Sequence, residues 1–345
     1  MEIHVADNGQ ISIFKNIFDP IEFAYIAHNI VRIRINGQHI QKYAKKNNMH
    51  IDTSTILNLC NISICSSMIC LEIKKCELET LEGLEKCNNL EFLFCAFNKL
   101  KTLHGIGNCK KLYSLKCYNN QLTNINELKD LTSLGNLDCS GNRIESLNGI
   151  EKCINLTKLN CRRNLIKSLL PLGNLTKLTE LTVGHNRVKS LNGIQCCVLI
   201  DEFECCYNLL ESFKDVGSKS RITELICNNN KLTSLEGIEG FDHIIRFYSA
   251  FNKLTSLEGI QYCTSLLMIE CNNNKLTTLK CSSGQLDKLY TLIVYHNCLT
   301  DLDGIEEFPK LSILTCRQNQ IDVNIETQKY PFLLDSNKMV IFSHD

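Results

Sequence analysis

The sequence predicts an α/β solenoid, with about twelve short parallel strands on one side and short helical or irregular segments on the other. Three observations carry that expectation. Asn98, Asn120, Asn142, Asn164, Asn186, Asn208, Asn230, Asn252 and Asn274 recur every 22 residues, and Asn297 and Asn319 resume the series after one extra residue. A fixed period of this length marks stacked supersecondary units. An apolar frame, L-x-x-L-x-C-x-x-N-x-L, surrounds each Asn, as in Leu90, Leu93, Cys95, Asn98, Leu100 and again in Leu266, Ile269, Cys271, Asn274, Leu276. Within the frame the second Leu and the Cys alternate with variable residues at period two, which marks a short strand with one inward face.

The Asn falls where the chain leaves the strand. Its amide can bond backbone groups that a turn leaves unpaired, and stacked copies form a ladder in which every member must be satisfied. Met68, Leu71, Ile73, Cys76 and Leu78 make a degenerate first copy, giving twelve repeats over residues 68–323. One repeat cannot bury its apolar edge alone, so stability comes from neighbours and both ends need covering.

The frame, together with the Gly-Ile step in Leu147, Gly149 and Ile150, resembles the leucine-rich repeat. It is most similar to the short 22-residue class found in internalins and in the leucine-rich regulatory subunit of protein phosphatase 1. The resemblance implies a leucine-rich-repeat horseshoe whose concave sheet binds proteins. A phosphatase is one partner it suggests, but the chain has no Trp and so no equivalent of an indole contact on that face.

Residues 1–67 follow no repeat frame and are expected to form an N-terminal cap. Ile3 to Asp7, Asn8-Gly9 and Ile11 to Phe14 read as a hairpin around a favoured two-residue turn. Asp19-Pro20-Ile21-Glu22 supplies a capping Asp, a Pro at the first helical position and an acid three residues after the cap, starting a helix toward Val31. Ile30, Ile33, Ile35 and Ile40 mimic a decayed repeat. Residues 324–345, with apolar Tyr330 to Leu334 and Met339 to Phe342, are expected to cover the last strand as a C-terminal cap.

Composition fits a neutral, soluble repeat protein. The 345 residues carry 37 basic and 37 acidic side chains, a balance with no general pull toward nucleic acid or anionic lipid. The start, Met1 to Val5, lacks a basic segment followed by an apolar run, and no stretch of 18 uninterrupted apolar residues occurs. Neither a signal peptide nor a membrane span is expected.

Cysteine is the unusual component, with 21 copies. Cys95, Cys117, Cys139, Cys161, Cys205, Cys227, Cys271 and Cys316 fill the inward strand slot that Val183 and Val294 fill elsewhere. Cys87, Cys109, Cys153, Cys197 and Cys263 fill a second slot three residues before the frame, where other repeats place Leu or Phe. They read as small hydrophobes in a stack, and such a column of reduced thiols suits a reducing, cytoplasmic compartment. The groups Cys60, Cys65, Cys70, Cys76 and Cys196, Cys197, Cys205, Cys206 lack paired C-x-x-C steps and a His pair at ligand spacing, so no metal is expected. Cys206, at an outward slot beside Tyr207, is expected to face solvent.

Catalysis finds no motif. Phosphate loops, nucleophile elbows and metalloprotease helices are missing, and Asp301-Leu302-Asp303-Gly304 lacks the later ligands of a calcium loop. His185 and His296 sit singly before the ladder Asn. The expectation is a protein without enzymatic activity and without a cofactor.

Function then falls on the concave strand face. Phe92, Phe94, Phe97 and Tyr118 are expected to form one aromatic patch. Lys158, Arg162 and Arg163, with Lys116, form a basic group. Glu180, Glu202, Glu204 and Glu224 line adjacent repeats, and Tyr207, Tyr248, Phe251 and Tyr295 make a second aromatic group. Exposed rings flanked by charge suit a protein interface. Strands about 4.8 Å apart bring the four Glu close together, which costs energy unless a basic partner or solvent screens them. The expected function is a scaffold or adaptor, monomeric alone, that takes a protein partner with a basic segment and neither nucleic acid nor membrane. The alternative is a structural component of a larger assembly such as a virus particle.

Overall fold

The structure, a computed structural model, describes residues 67–217, 221–281, 285–335 and 338–342, and the backbones of two earlier strands, Glu2–His4 and Arg32–Asn36. The chain divides into two compact units, Met1–Ile166 and Lys167–Asp345.

In the first unit the strands are β1 (Glu2–His4), β2 (Arg32–Asn36), β3 (Cys70–Lys74), β4 (Phe92–Phe94), β5 (Ser114–Lys116), β6 (Asn136–Asp138) and β7 (Lys158–Asn160). They pair in chain order, all parallel. Strand β2 meets β3 with Ile33 opposite Leu71 and Ile35 opposite Ile73. The decayed isoleucine series therefore stands in the register of the repeats. The expected Asn8-Gly9 turn, its second strand and the helix from Asp19 lie outside the described residues.

Every strand is short because the turn follows at once. The residue immediately before each ladder Asn adopts a left-handed conformation: Phe97, Asn119 and Arg163 have φ of 56°, 53° and 54°, and Gly141 has 64°; Lys75, before Cys76 in the first repeat, has 57°. The ladder Asn then closes the turn. Asn142 Nδ2 donates to the carbonyls of Cys139 (2.9 Å) and of Cys117 in the preceding repeat (3.1 Å), while its Oδ1 accepts from Leu122 N–H at 3.0 Å. Asn98, Asn120 and Asn164 repeat the pattern. Each amide joins two consecutive coils, which is how one residue type fixes the stacking.

The interior is tiled as the frame dictates. Leu90, Leu93, Cys95, Leu100, Leu103, Ile106 and Cys109 are all fully buried, and each buried Leu or Ile contributes roughly 1.5–3 kcal/mol. Opposite the sheet the Gly-Ile step makes a tight corner. Gly149 has φ of 108°, and a Cβ there would lie 2.6 Å from the Ile125 carbonyl oxygen, so only glycine fits.

The second unit repeats this construction with β8 (Glu180–Thr182), β9 (Glu202–Glu204), β10 (Glu224–Ile226), β11 (Arg246–Tyr248), β12 (Met268–Glu270), β13 (Thr291–Ile293), β14 (Ile313–Thr315) and β15 (Met339–Ile341), again parallel and in order. Short 3-10 turns, such as Ile238–Phe241 and Ile260–Tyr262, occupy the side away from the sheet. The extra residue in the tenth repeat falls between buried Leu279 and Leu286. Asn297 Oδ1 still accepts from Leu276 N–H at 2.9 Å, so the insertion leaves the ladder intact. Phe213, Phe241 and Phe247 replace leucines and pack edge to face, with centroids 5.6 and 6.3 Å apart.

After the last repeat comes helix α1 (Val323–Lys329), capped by Asp322, whose carboxylate accepts from the Asn324 and Ile325 N–H groups. Buried Glu326 reaches back to accept from Leu302 N–H at 2.9 Å. Strand β15 then pairs with β14, Leu314 opposite Val340. No helix among the described residues is long and apolar enough to cross a membrane.

Candidate functional site

The open face of each sheet presents the side chains that alternate with the inward Leu and Cys. In the first unit one register column runs Glu72, Phe94, Lys116, Asp138, Asn160, and its neighbour runs Cys70, Phe92, Ser114, Asn136, Lys158. The four aromatic residues expected to form one patch separate into two clusters. Phe92 contacts Phe94 (6.5 Å) and Tyr113 (6.3 Å, edge to face), whereas Phe97 pairs with Tyr118 (5.3 Å, edge to face). Each cluster carries a cation, Lys116 over Phe94 at 5.5 Å and Lys75 over Phe97 at 5.3 Å.

Lys116 thus belongs with the rings and not with the basic group. Lys158 and Arg162 follow on the same face of β7 and its extension, with the Arg162 N–H held by Asn160 Oδ1 at 3.2 Å, and exposed Arg163 takes the left-handed slot. Tyr113, half exposed, and Lys75 join these clusters without any signal in the repeat frame. Tyr113 precedes β5 by one residue, outside the strand alternation used to enumerate the face.

In the second unit the four acids resolve into a column and a neighbour. Glu180, Glu202 and Glu224 stand directly opposite one another on β8, β9 and β10. Glu204 belongs to the next column, between Thr182 and Ile226. Its carboxylate accepts from Cys206 N–H at 3.2 Å and lies over Gly184, in space a side chain there would fill. The three-acid column ends at Arg246, whose guanidinium pairs with Glu224 at 3.2 Å. Arg246 carries no signal in the repeat frame; only the register places it there.

The second aromatic group does not assemble. Tyr207 stacks on His185 (4.1 Å, 13° between planes), and Tyr295 meets His296 (5.7 Å) and Arg317 (5.1 Å). Tyr248 lies between Glu224 and Glu270, and its phenol is pushed up by burial first and by those two carboxylates, against Arg246. Phe97, Tyr207 and Phe251 share one property: each occupies the left-handed slot, with φ of 54–56°, while 43%, 49% and 54% exposed. A bulky residue in that conformation costs roughly 1–2 kcal/mol relative to an ordinary one. The sequence hints at the slot through Asn119, Gly141, Asn229 and Asn273, residue types that tolerate it.

Cys206 does not face solvent. It is only 7% exposed, because the small side chain turns back toward the Ile226 carbonyl, 3.5 Å away. All but Cys196, Cys281 and Cys298 of the described cysteines are buried, and none of them is bridged. Burial pushes Cys95 and Cys271 up to about 12 and Cys109 and Cys153 to about 11. Cys153 donates weakly to the Leu128 carbonyl at 3.5 Å. Cys70 and Cys76 are buried in the first repeat, and Cys60 and Cys65 lie outside the described residues. Among the described residues no cluster of three His, Cys, Asp or Glu is placed to hold a metal ion.

A coil of one three-residue strand, one asparagine-closed turn and one irregular return, repeated with parallel register, leaves a single architecture. The fold is the leucine-rich repeat solenoid. Solved structures of that fold resemble the chain: an internalin of Listeria monocytogenes, 20% identical, with a TM-score of 0.66 over 86% of this chain and 85% of that one; and a leucine-rich repeat protein of Leptospira interrogans, 21% identical, with a TM-score of 0.66 over 93% and 86%. The ectodomain of the Arabidopsis thaliana receptor kinase GASSHO1/SCHENGEN3 is 18% identical, with a TM-score of 0.59 over 86% of this chain and 43% of that one. No protein-family model and no curated protein sequence matches the chain. At these identities the likeness concerns the fold alone.

Proposed function

We propose that the chain is a non-enzymatic scaffold that grips a protein partner with a basic segment through the open face of its sheet. The acidic column Glu180, Glu202, Glu224 carries this reading. Like charges about 5 Å apart repel by roughly 1 kcal/mol in water and about 3 kcal/mol at the dielectric of a protein surface. Arg246 pairs with Glu224 at one end of the column. A basic segment laid across the strands turns the column from a cost into an attraction.

The exposed rings at left-handed positions support the same reading. Gly or Asn would hold that backbone conformation at less cost, whereas an exposed ring supplies area that an interface can bury. The Arabidopsis ectodomain of like fold is described in complex with Casparian strip integrity factor 2, which supports a binding role for the architecture. The buried, unbridged thiols suit a reducing compartment, and the proposal places the protein there.

The test is affinity capture from the native host with the wild-type chain and a Glu202→Lys, Glu204→Lys variant. A partner retained by the first and lost from the second is the expected result. Equal retention of every captured protein by both chains refutes the proposal, as does spontaneous self-assembly of the purified chain on size exclusion, which would assign it a structural role.

A further inference from the structure

Three rings on the open face of the first unit form one connected cluster. Phe92 and Phe94 stand on β4 with centroids 6.5 Å apart, and Tyr113 of the next coil meets Phe92 edge to face at 6.3 Å. Tyr113 is 50% exposed, and the two phenylalanines are half-buried. The sheet makes room for this arrangement at Gly135. A Cβ there would lie 2.3 Å from the Tyr113 ring, in the slot where the following repeats carry Thr157 and Thr179. Gly135 is not among the glycines with positive φ, so the ring and not the backbone calls for glycine. A glycine beside a strand weakens it and marks a close approach. An exposed ring with a place cut for it presents apolar area that the core does not use.

The charge around the rings is one-sided along the strand. Lys116 stands between Phe94 and Asp138 in register, and its ammonium lies over Phe94 at 5.5 Å. Asp138 instead accepts from the Ser140 N–H and hydroxyl at 3.1 and 2.7 Å, and among the described residues Lys116 makes no ion pair. On the other side of Phe94, Glu72 is matched by Lys74 at 2.8 Å. At the far end of the cluster Glu91 neighbours Tyr113, whose N–H donates to its carbonyl at 2.9 Å, about 10 Å along the strand from Phe94. An ammonium with a ring on one side keeps donors for an anion on the other. One carboxylate complements that charge, and the rings beside it fit an apolar side chain.

We propose that Phe92, Phe94, Tyr113 and Lys116 form a docking subsite for an acidic, apolar segment of a protein partner. A carboxylate of the segment pairs with Lys116. An apolar side chain two residues away, on the same face of an extended chain, lies on Phe92 and Tyr113. Glu91 repels the carboxylate from the opposite end, which fixes the direction of the segment. The subsite lies wholly in the first unit and has the opposite sign to the acidic column of the second, so it does not depend on a basic segment binding there.

The experiment measures binding of two fluorescein-labelled peptides to the full chain by fluorescence anisotropy, with circular dichroism checking the fold of each variant. One peptide repeats Glu-Ser-Leu-Ser, and the other has Gln in place of Glu. Wild type should bind the Glu peptide about tenfold more tightly than the Gln peptide, the worth of one charge-assisted hydrogen bond. Lys116→Glu should reverse that order. Tyr113→Ala and Gly135→Thr, which leave the charge unchanged, should weaken both peptides by a similar factor and keep their ratio. Equal binding of the two peptides by wild type, binding of neither, or an unchanged preference in Lys116→Glu overturns the subsite. Full affinity in Tyr113→Ala with the fold intact also overturns it, since the rings would then take no part. The acidic column carries the wrong sign for the Glu peptide, so none of these results touches the basic-partner reading.

Discussion

Replacing Asn142 by Asp tests whether the ladder holds the coils together through its donors. The side chain is nearly isosteric, and its Oδ1 can still accept from Leu122 N–H. What changes is the other end, where Nδ2 donates to the carbonyls of Cys139, Cys117 and Ser140 at 2.9, 3.1 and 3.2 Å. An ionised carboxylate there faces three carbonyl oxygens in a buried site, so its pKa rises; desolvation alone can add several units. A rise of about three units removes roughly 4 kcal/mol at neutral pH, in addition to roughly 2 kcal/mol for the lost donations.

Asn142→Leu is the control. It orphans Leu122 N–H, but the Cys117 and Cys139 carbonyls keep Asn120 and Asn164 as donors, so its cost is about 3 kcal/mol at any pH. The sign for Asp follows from the raised folded-state pKa. The variant is most stable below the unfolded value of about 4, where the protonated acid donates one hydrogen bond, and loses stability as pH rises through the folded value. Urea unfolding at pH 4.5 and 7.5 measures it: Asp should be milder than Leu at the lower pH and worse at the higher. Parallel behaviour of the two variants across that range would refute the donor argument.

Thiol reactivity should follow burial, not the number of cysteines. At pH 8 a disulfide reagent should modify exposed Cys196 and Cys298 promptly and reach Cys95 and Cys271, both pushed up to about 12, only after unfolding in urea; native labelling of Cys95 as fast as Cys298, read by peptide mass spectrometry, would contradict this. Asp303 should pin helix α1, because it accepts from Lys329 and from Lys280 (2.9 Å), and those two cations hold its carboxyl down at about 2. With the folded value depressed, the contribution is complete above the unfolded pKa and fades as pH falls through about 2. Asp303→Asn should therefore speed amide exchange over residues 323–329 at neutral pH, and unchanged exchange would show that Glu326 and the Asp322 cap suffice.

Much of the architecture is legible in the linear chain because each link is local or strictly periodic. The inward Leu and Cys, the ladder Asn and the Gly-Ile corner each recur at a fixed offset, so their burial follows from counting. Asn297 shows the strength of that logic, since it keeps its ladder bond to Leu276 across an inserted residue. The exposed face is less legible. The frame identifies which slots point outward but not which side chains touch: it joined Phe94 to Phe97, placed Lys116 with Arg163, and set Cys206 in solvent.

The amino-acid sequence by itself determined the coil and the residues that fill it, because period and apolar pattern leave one way to bury each edge. Only the tertiary structure decided that Glu204 leaves the acidic column, that Arg246 ends it, and that Tyr113 lies over Gly135. Those facts depend on cross-strand register and on the volume of neighbouring side chains, and residues 22 apart acquire them only when the coils stack.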